Sequence, residues 1–221
     1  MANRKVVGVR NNVRIRKDYP ATWDDINELQ KAFGSGEVLS NHPQEIKDKA
    51  EEYGLTPPQT ALIYSYTGSW YQFLNQSINN GISHNGETEL AKRLLNSALN
   101  KVPKFEGETY RAMKVHIDPE EKMKELEKMG TFRFEGFTST STAWKKAENW
   151  GSEGERVLFA IQGKNGRNIK PLSMHDQEEE VLFKAGTKFK FVGYKEIPSY
   201  YSYLDEFKNK KIKVMIIKEV A

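Results

Sequence analysis

The chain has 221 residues, with 34 Lys plus Arg against 30 Asp plus Glu, four His and no Cys, for a formal net charge of +4. No Cys means no disulfide scaffold, no Cys-ligated metal and no thiol nucleophile, and His42, His84, His116 and His175 lack the i, i+3 or i, i+4 spacing of a helical metal site. Apolar runs such as 214–217 are far too short to span a bilayer, and the start MANRKVVGVR has no apolar signal region, so a soluble chain is expected.

Opposite charges are interleaved through most of the sequence, which is the pattern of a solvated surface. The ends are more basic, with Arg4, Lys5, Arg10, Arg14, Arg16 and Lys17 at the start and Lys208, Lys210, Lys211 and Lys213 near the finish. That distribution permits a nucleic-acid footprint, but solubility explains it more simply.

The first half reads as helices. Thr22 and Asp25 form a capping-box pattern ahead of a helix over 23–33, closed by Gly34. Helices follow at 43–53, stopped by Gly54, and at 58–66, opened by Thr56 and Pro57. Thr67, Gly68 and Ser69 predict a break before a short helix over 70–79, and a Leu and Ala stripe predicts another over 87–100. After Pro103 the texture becomes strand-like, at 109–116, 131–139, 156–161, 178–184, 187–194 and 212–218. Turn signals at Lys164-Asn165-Gly166 and Lys184-Ala185-Gly186 separate some of these runs, and helices interrupt at 119–129 and 143–150. Helices first and strands afterwards is the α+β pattern. We expect one domain over 1–221, mostly helical over 1–103 and β-rich over 104–221.

Three segments carry chemistry. Arg111 sits inside an apolar strand, where a charge needs a counter-charge or a ligand such as a phosphate. Thr138, Ser139, Thr140 and Ser141 end a strand, and read alone they are most simply a helix cap. Glu178, Glu179 and Glu180 lead into Val181-Leu182-Phe183. On a strand Glu178 and Glu180 share a face, and their repulsion raises one pKa unless a cation intervenes. A charge-guarded edge strand is the plain alternative to acid/base work. No glycine-rich nucleotide-binding motif, nucleophile elbow or H-E-x-x-H occurs.

The order Tyr110-Arg111, then Phe137-Thr138-Ser139-Thr140-Ser141, then Glu178-Glu179-Glu180-Val181-Leu182 resembles the R-S-E class of mono-ADP-ribosyltransferases. That class includes clostridial binary-toxin and Rho-modifying exoenzymes, phage-encoded transferases and vertebrate ecto-transferases. Tyr66-Thr67-Gly68-Ser69 with Tyr71 and Asn75 is similar to the toxins' upstream helix, and the resemblance runs from about Tyr64 to Lys218. One departure is Ala112, where members often have Gly.

The resemblance implies a helical lobe beside a mixed, mainly antiparallel β core of two packed sheets, with a cleft for NAD as co-substrate and no metal. It implies that Arg111 binds NAD phosphate and that Ser139 positions Glu180. Thr140 and Ser141 would shape the cleft. Glu180 would bind the ribose and stabilise the developing cation, while Glu178 would receive the acceptor. Tyr110, Ala112, Tyr66, Tyr71 and Asn75 would complete the NAD site, with Trp150 stacking on nicotinamide and Arg156 reaching phosphate. A core role for Trp150, Tyr66 or Tyr71 competes with each. A Glu at 178 resembles the arginine-specific members, so the implied partner is a protein with an accessible arginine, acted on by a monomer in a target-cell or host cytosol. Phage origin, injection, secretion or membership of a larger toxin are all compatible. Residues 166–177 would be a mobile, substrate-recognising turn. NAD hydrolysis on the same fold, and a non-enzymatic basic nucleic-acid-binding protein, are the alternatives.

Overall fold

The computed structural model describes residues 20–34, 43–82, 86–149, 155–199 and 210–220. The basic start and Trp150 lie outside the described residues.

The helical half comprises α1 (Trp23–Phe33), α2 (Gln44–Glu52), α3 (Pro57–Ser65), α4 (Tyr71–Asn79) and α5 (Glu87–Leu99). The expected capping box is present: Asp25 N donates to Thr22 Oγ1 at 3.2 Å and Thr22 N donates back to Asp25 Oδ2 at 2.8 Å. Thr56 and Gln59 build a second one on α3. The expected break at Thr67-Gly68-Ser69 does not occur. A π-helical turn over Tyr66–Trp70 carries α3 into α4. Thr67 Oγ1 donates to Tyr64 O at 2.8 Å, which helps the widened turn satisfy its carbonyls. Such bulges re-aim side chains by adding a residue to one turn.

The β half comprises β1 (Lys104–Lys114), β2 (Thr131–Arg133), β3 (Thr138–Ser141), β4 (Arg156–Asn168), β5 (Glu180–Phe183), β6 (Lys188–Pro198) and β7 (Lys211–Glu219), with α6 (Pro119–Met129) and α7 (Trp144–Asn149) between strands. The strand order is β1-β3-β5-β4-β7-β6-β2, and β1 also pairs along β4. Among the described residues only the β4–β7 pair is parallel. The two halves of this network fold face to face. Phe132 and Phe189 of one half meet Phe159 and Phe183 of the other, with Phe134 between, at ring separations of 5.5–6.4 Å. A second core joins Leu182 and Phe137 to the helices through Leu62, Tyr66, Leu94 and Leu95.

Three strand expectations change. The run 131–139 is two strands, because Asn75 and Asn79 capture the backbone of Gly136 and Phe137 between them. The Lys164-Asn165-Gly166 signal lies inside β4. There the Glu219 carboxylate accepts from Lys164 N at 2.7 Å and from Asn165 N at 2.8 Å, a substitute for strand pairing. The run 178–184 begins as a strand only at Glu180, since Glu179 turns left-handed with φ 51° and ψ 46°. Among the described residues no helix is long and apolar enough to cross a membrane.

At Gly163 the Phe183 ring packs directly onto the β4 backbone: a Cβ there would lie 2.5 Å from Phe183 Cζ. Gly163→Ala is expected to cost about 1–3 kcal/mol by overpacking. Gly193→Ala, which meets nothing within 4 Å, is expected to cost little. Urea unfolding of the two variants measures the difference.

Candidate active site

A cavity of about 410 Å³ opens along the seam between the π turn, α4 and the β core. Tyr66, Thr67, Gly68, Tyr71 and Asn75 line its helical side. Arg111, Ala112 and Lys114 enter from β1, Ser139 from β3, Glu180 from β5, and His175 and Glu178 from the turn ahead of β5. The sequence expectations for Tyr66, Tyr71, Asn75, Arg111, Ala112, Ser139, Glu178 and Glu180 therefore converge on one place.

Ser139 is held at both ends. Its carbonyl accepts from Arg111 Nη1 at 2.8 Å, and its hydroxyl hydrogen-bonds the Glu180 carboxyl and the Tyr66 hydroxyl. Glu180 is 4% exposed. Burial is the main cause that pushes its carboxyl up to about 7. Ser139 and Arg111 act against that rise, and the negative charge of Glu178 adds to it. Burial also raises the Tyr66 hydroxyl, so it stays protonated and can donate through Ser139 towards Glu180.

Burial lowers the pKa of Arg111, while Tyr66 and Glu180 hold it up. A guanidinium starts so high that it remains charged. Its carbon lies 5.8 Å from the Phe134 ring centroid, and its Nε is buried with no protein partner. Arg111 nevertheless lines the cavity, so its guanidinium presents positive charge to an anionic ligand there.

Asn75 lines the cavity, but its amide is occupied. Oδ1 accepts from Phe137 N at 2.8 Å, and Nδ2 donates to Phe137 O at 3.2 Å and to Tyr66 Oη at 3.1 Å. It fixes where β3 begins. Of the turn expected over 166–177, residues 166–168 belong to β4, and the segment that follows is anchored to the helical half. Ile169 and Leu172 are buried, and Met174 N donates to Thr67 Oγ1 at 3.0 Å. Gly68 permits that docking, because a Cβ there would lie 2.8 Å from Met174 Cε.

Glu179 stands out as a non-glycine residue in the left-handed region. Its carbonyl accepts from Thr142 N at 3.2 Å, and its carboxylate accepts from Thr142 Oγ1 at 2.8 Å. Lys170 Nζ lies 3.6 Å from Oε1. Next to it, Ser141 Oγ donates to Glu178 O at 2.6 Å.

Other expected residues lie elsewhere. Tyr110 points from the opposite face of β1 to Arg111, towards Glu108 and Lys195. Thr140 is buried on the far face of β3 and donates to Val181 O at 2.7 Å. Ser141 holds Glu178 O and accepts from Ala143 N at 3.1 Å, so it serves both the turn and the start of α7. Arg156 faces the buried Glu148, 3.9 Å away, and is not among the cavity-lining residues. Trp150 lies outside the described residues. Lys114 and His175 were not singled out as site residues. Strand alternation would place Lys114 opposite Arg111, and a lone His in a polar turn carries no distinguishing signal. Among the described residues no group of three His, Asp or Glu could hold a metal ion.

The cavity's volume suits one end of a dinucleotide. Its lining sets one guanidinium and two carboxyl groups around the same space.

The family described as NAD:arginine ADP-ribosyltransferase matches residues 40–211. Tre1 of Serratia proteamaculans, an NAD(+)–protein-arginine ADP-ribosyltransferase, is 30% identical over 158 residues. That match covers 65% of this chain and 33% of Tre1. Mav of Mycobacterium avium, provisionally named an NAD(+)–arginine ADP-ribosyltransferase, is 31% identical over 159 residues, covering 71% of this chain and 17% of Mav. The chain thus spans a third or less of these two relatives. Among solved structures, the ADP-ribosyltransferase HopU1 of Pseudomonas syringae superposes with a TM-score of 0.66 at 16% identity, covering 91% of this chain and 99% of HopU1. With its matched residues, the Arg111–Ser139–Glu178–Glu180 cavity and the shared fold, the chain belongs to the NAD:arginine ADP-ribosyltransferase family.

Proposed function

We propose that this chain transfers ADP-ribose from NAD to an arginine side chain of a target protein and releases nicotinamide. The observation that carries the reading is the convergence of Arg111, Ser139, Glu178 and Glu180 on one cavity in a chain of this family.

The bond that breaks joins the ribose C1′ to the nicotinamide nitrogen, which leaves with the bonding pair as neutral nicotinamide. Positive charge then spreads over C1′ and the ring oxygen. Glu180, ionised and shielded from water, stabilises that charge where a low dielectric makes it most effective. Ser139 keeps Glu180 in place, and Arg111 presents its positive charge to the diphosphate. A guanidine nitrogen of the acceptor supplies the new bond to C1′, and Glu178 takes the proton it sheds. Glu178 is nearer the surface than Glu180, as an acceptor-facing group must be.

An ADP-ribosyltransferase of similar fold, Vis of Vibrio splendidus, is known in complex with agmatine; it has a TM-score of 0.56 and 22% identity over 84% of this chain. Agmatine carries the guanidino group of arginine, which supports a guanidinium as the acceptor beside Glu178. The target protein would lie in the cytosol of another cell, and a single copy supplies every residue of the cavity described above. NAD hydrolysis is the competing reading, with water in place of guanidine.

Labelled NAD distinguishes the two readings, because only transfer leaves label on an acceptor. Glu180→Gln is expected to reduce both nicotinamide release and transfer by 100-fold or more, on the order of 3 kcal/mol or beyond. Glu178→Gln is expected to cut transfer at least tenfold while nicotinamide release persists. Loss of both in Glu178→Gln would overturn the division of roles.

Glu180 also sets a pH dependence. With its carboxyl raised to about 7, kcat/KM for NAD should fall about tenfold per pH unit below that value, since the protonated form cannot stabilise the cation. Linkage gives the stability sign. A carboxyl raised in the folded state adds stability below its ordinary pKa of 4.5, and this is lost as pH rises through about 7. The urea midpoint should therefore fall between pH 5 and 7, and Glu180→Gln should flatten that slope.

A further inference from the structure

We propose that Glu179 is a positioning residue whose latch to Thr142 and Lys170 sets the partition of NAD between arginine transfer and hydrolysis. The proposal rests on the transferase reading above and goes beyond it.

The two flanking glutamates are held by different means. Glu180 begins β5. Its carbonyl accepts from Ile169 N at 3.1 Å, it pairs in register with Ser141, and Ser139 hydrogen-bonds its carboxyl. Those restraints come from the sheet and need nothing from the Glu179 side chain. Glu178 lies outside the sheet, in a single helical turn over Asp176–Glu178. Its direction depends on the residue that reverses the chain into β5.

That residue is Glu179, at φ 51° and ψ 46°. The left-handed conformation is disfavoured for a side chain with a Cβ, and glycine or asparagine would meet it more easily. Here the side chain supplies the compensation. Thr142 binds Glu179 twice, through N to the carbonyl and through Oγ1 to the carboxylate, and Lys170 approaches the other carboxylate oxygen. Ser141 Oγ takes the carbonyl of Glu178. The β3–α7 junction and the start of the 169–178 turn thus clamp the reversal from two sides. Without the carboxylate, Glu178 samples more orientations while Glu180 does not. Guanidine capture needs Glu178 at a defined place, whereas cleavage of the nicotinamide bond needs Glu180 and Arg111. Loosening the latch should therefore leave cleavage and misdirect its product to water.

The test measures two rates on the same protein: nicotinamide release from NAD alone, and label transfer from NAD to agmatine as a soluble guanidine. Glu179→Ala and Thr142→Val are expected to lower transfer at least tenfold while acceptor-free release changes less than threefold. Glu179→Gln, which keeps an oxygen to accept from Thr142, should restore transfer to within about threefold of the parent chain. A role in folding alone would lower both rates together and track the loss of thermal stability. Equal losses in both rates, or transfer unchanged in Glu179→Ala, would overturn the proposal. If the parent chain itself released no nicotinamide, the transferase reading would fail instead, and the two failures are thereby distinguished.

Discussion

The structure depends on keeping one carboxylate, Glu180, in a nearly dry place. A buried carboxylate without partners is expensive, and the cost appears as a shift of its pKa to about 7. The chain limits that cost without abolishing it. Ser139 donates to it and Arg111 lies near enough to favour its ionised form, yet the guanidinium is tied to the Ser139 carbonyl. A full Arg–Glu pair would satisfy both groups and leave neither available. The separation leaves Arg111 Nε unsatisfied and Glu180 ready to ionise against a cation, which is the electrostatic state a ribosyl transfer needs from an enzyme before substrate arrives.

The elements around this pair can be read as devices for holding it. β3 is only four residues long, and both of its neighbours bear on the site. β5 brings Glu180 opposite Ser141, and β1 brings Arg111 within reach of Ser139. Alternation along β3 sends Ser139 to the cavity and Thr140 into the core, where its hydroxyl binds Val181 O. The T-S-T-S run is thus a division of labour by strand parity. The helix-capping reading is also right in part, since Ser141 accepts from Ala143 N at the start of α7.

What could be read from sequence follows the range of the forces involved. The capping box at Thr22, the helix opening at Thr56 and Pro57, the stripe of α5 and the α+β order are local, and each appears where the pattern places it. The three motifs were legible because a family resemblance ties residues far apart in the chain. The failures are all nonlocal or unmarked. Nothing near residue 134 announces that Asn75 and Asn79, some 60 residues earlier, will take the backbone of Gly136 and Phe137 and split one strand into two. Gly68 looks like a helix breaker until Met174 is seen against it. Glu179 gives no glycine or asparagine signal for its left-handed turn. A strand reading of E-x-E therefore put Glu178 and Glu180 in one ladder, whereas only Glu180 belongs to it.

The helical lobe is accordingly not an annex to a finished β site. Its π turn contributes Tyr66, Thr67 and Gly68 to the cavity wall, and the same turn supports the segment that carries Glu178. Tyr66 packs edge-on against Phe137 at 5.5 Å, and Asn75 grips the backbone of that same Phe137. The position of β3, and with it Ser139, is therefore set from the helices as much as from the sheet. Trp70 extends the support by donating its indole N–H to Gly34 O at the end of α1, 3.2 Å away. A lobe that merely covered the sheet could shift by an ångström without consequence. This one is tied by hydrogen bonds to the backbone two residues before Ser139, so a displacement of α4 would move Ser139 and release the restraint on Glu180. That explains why the widened turn and the two asparagines lie on the cavity side of the helices: the packing between lobe and sheet and the geometry of the reacting groups are the same set of contacts.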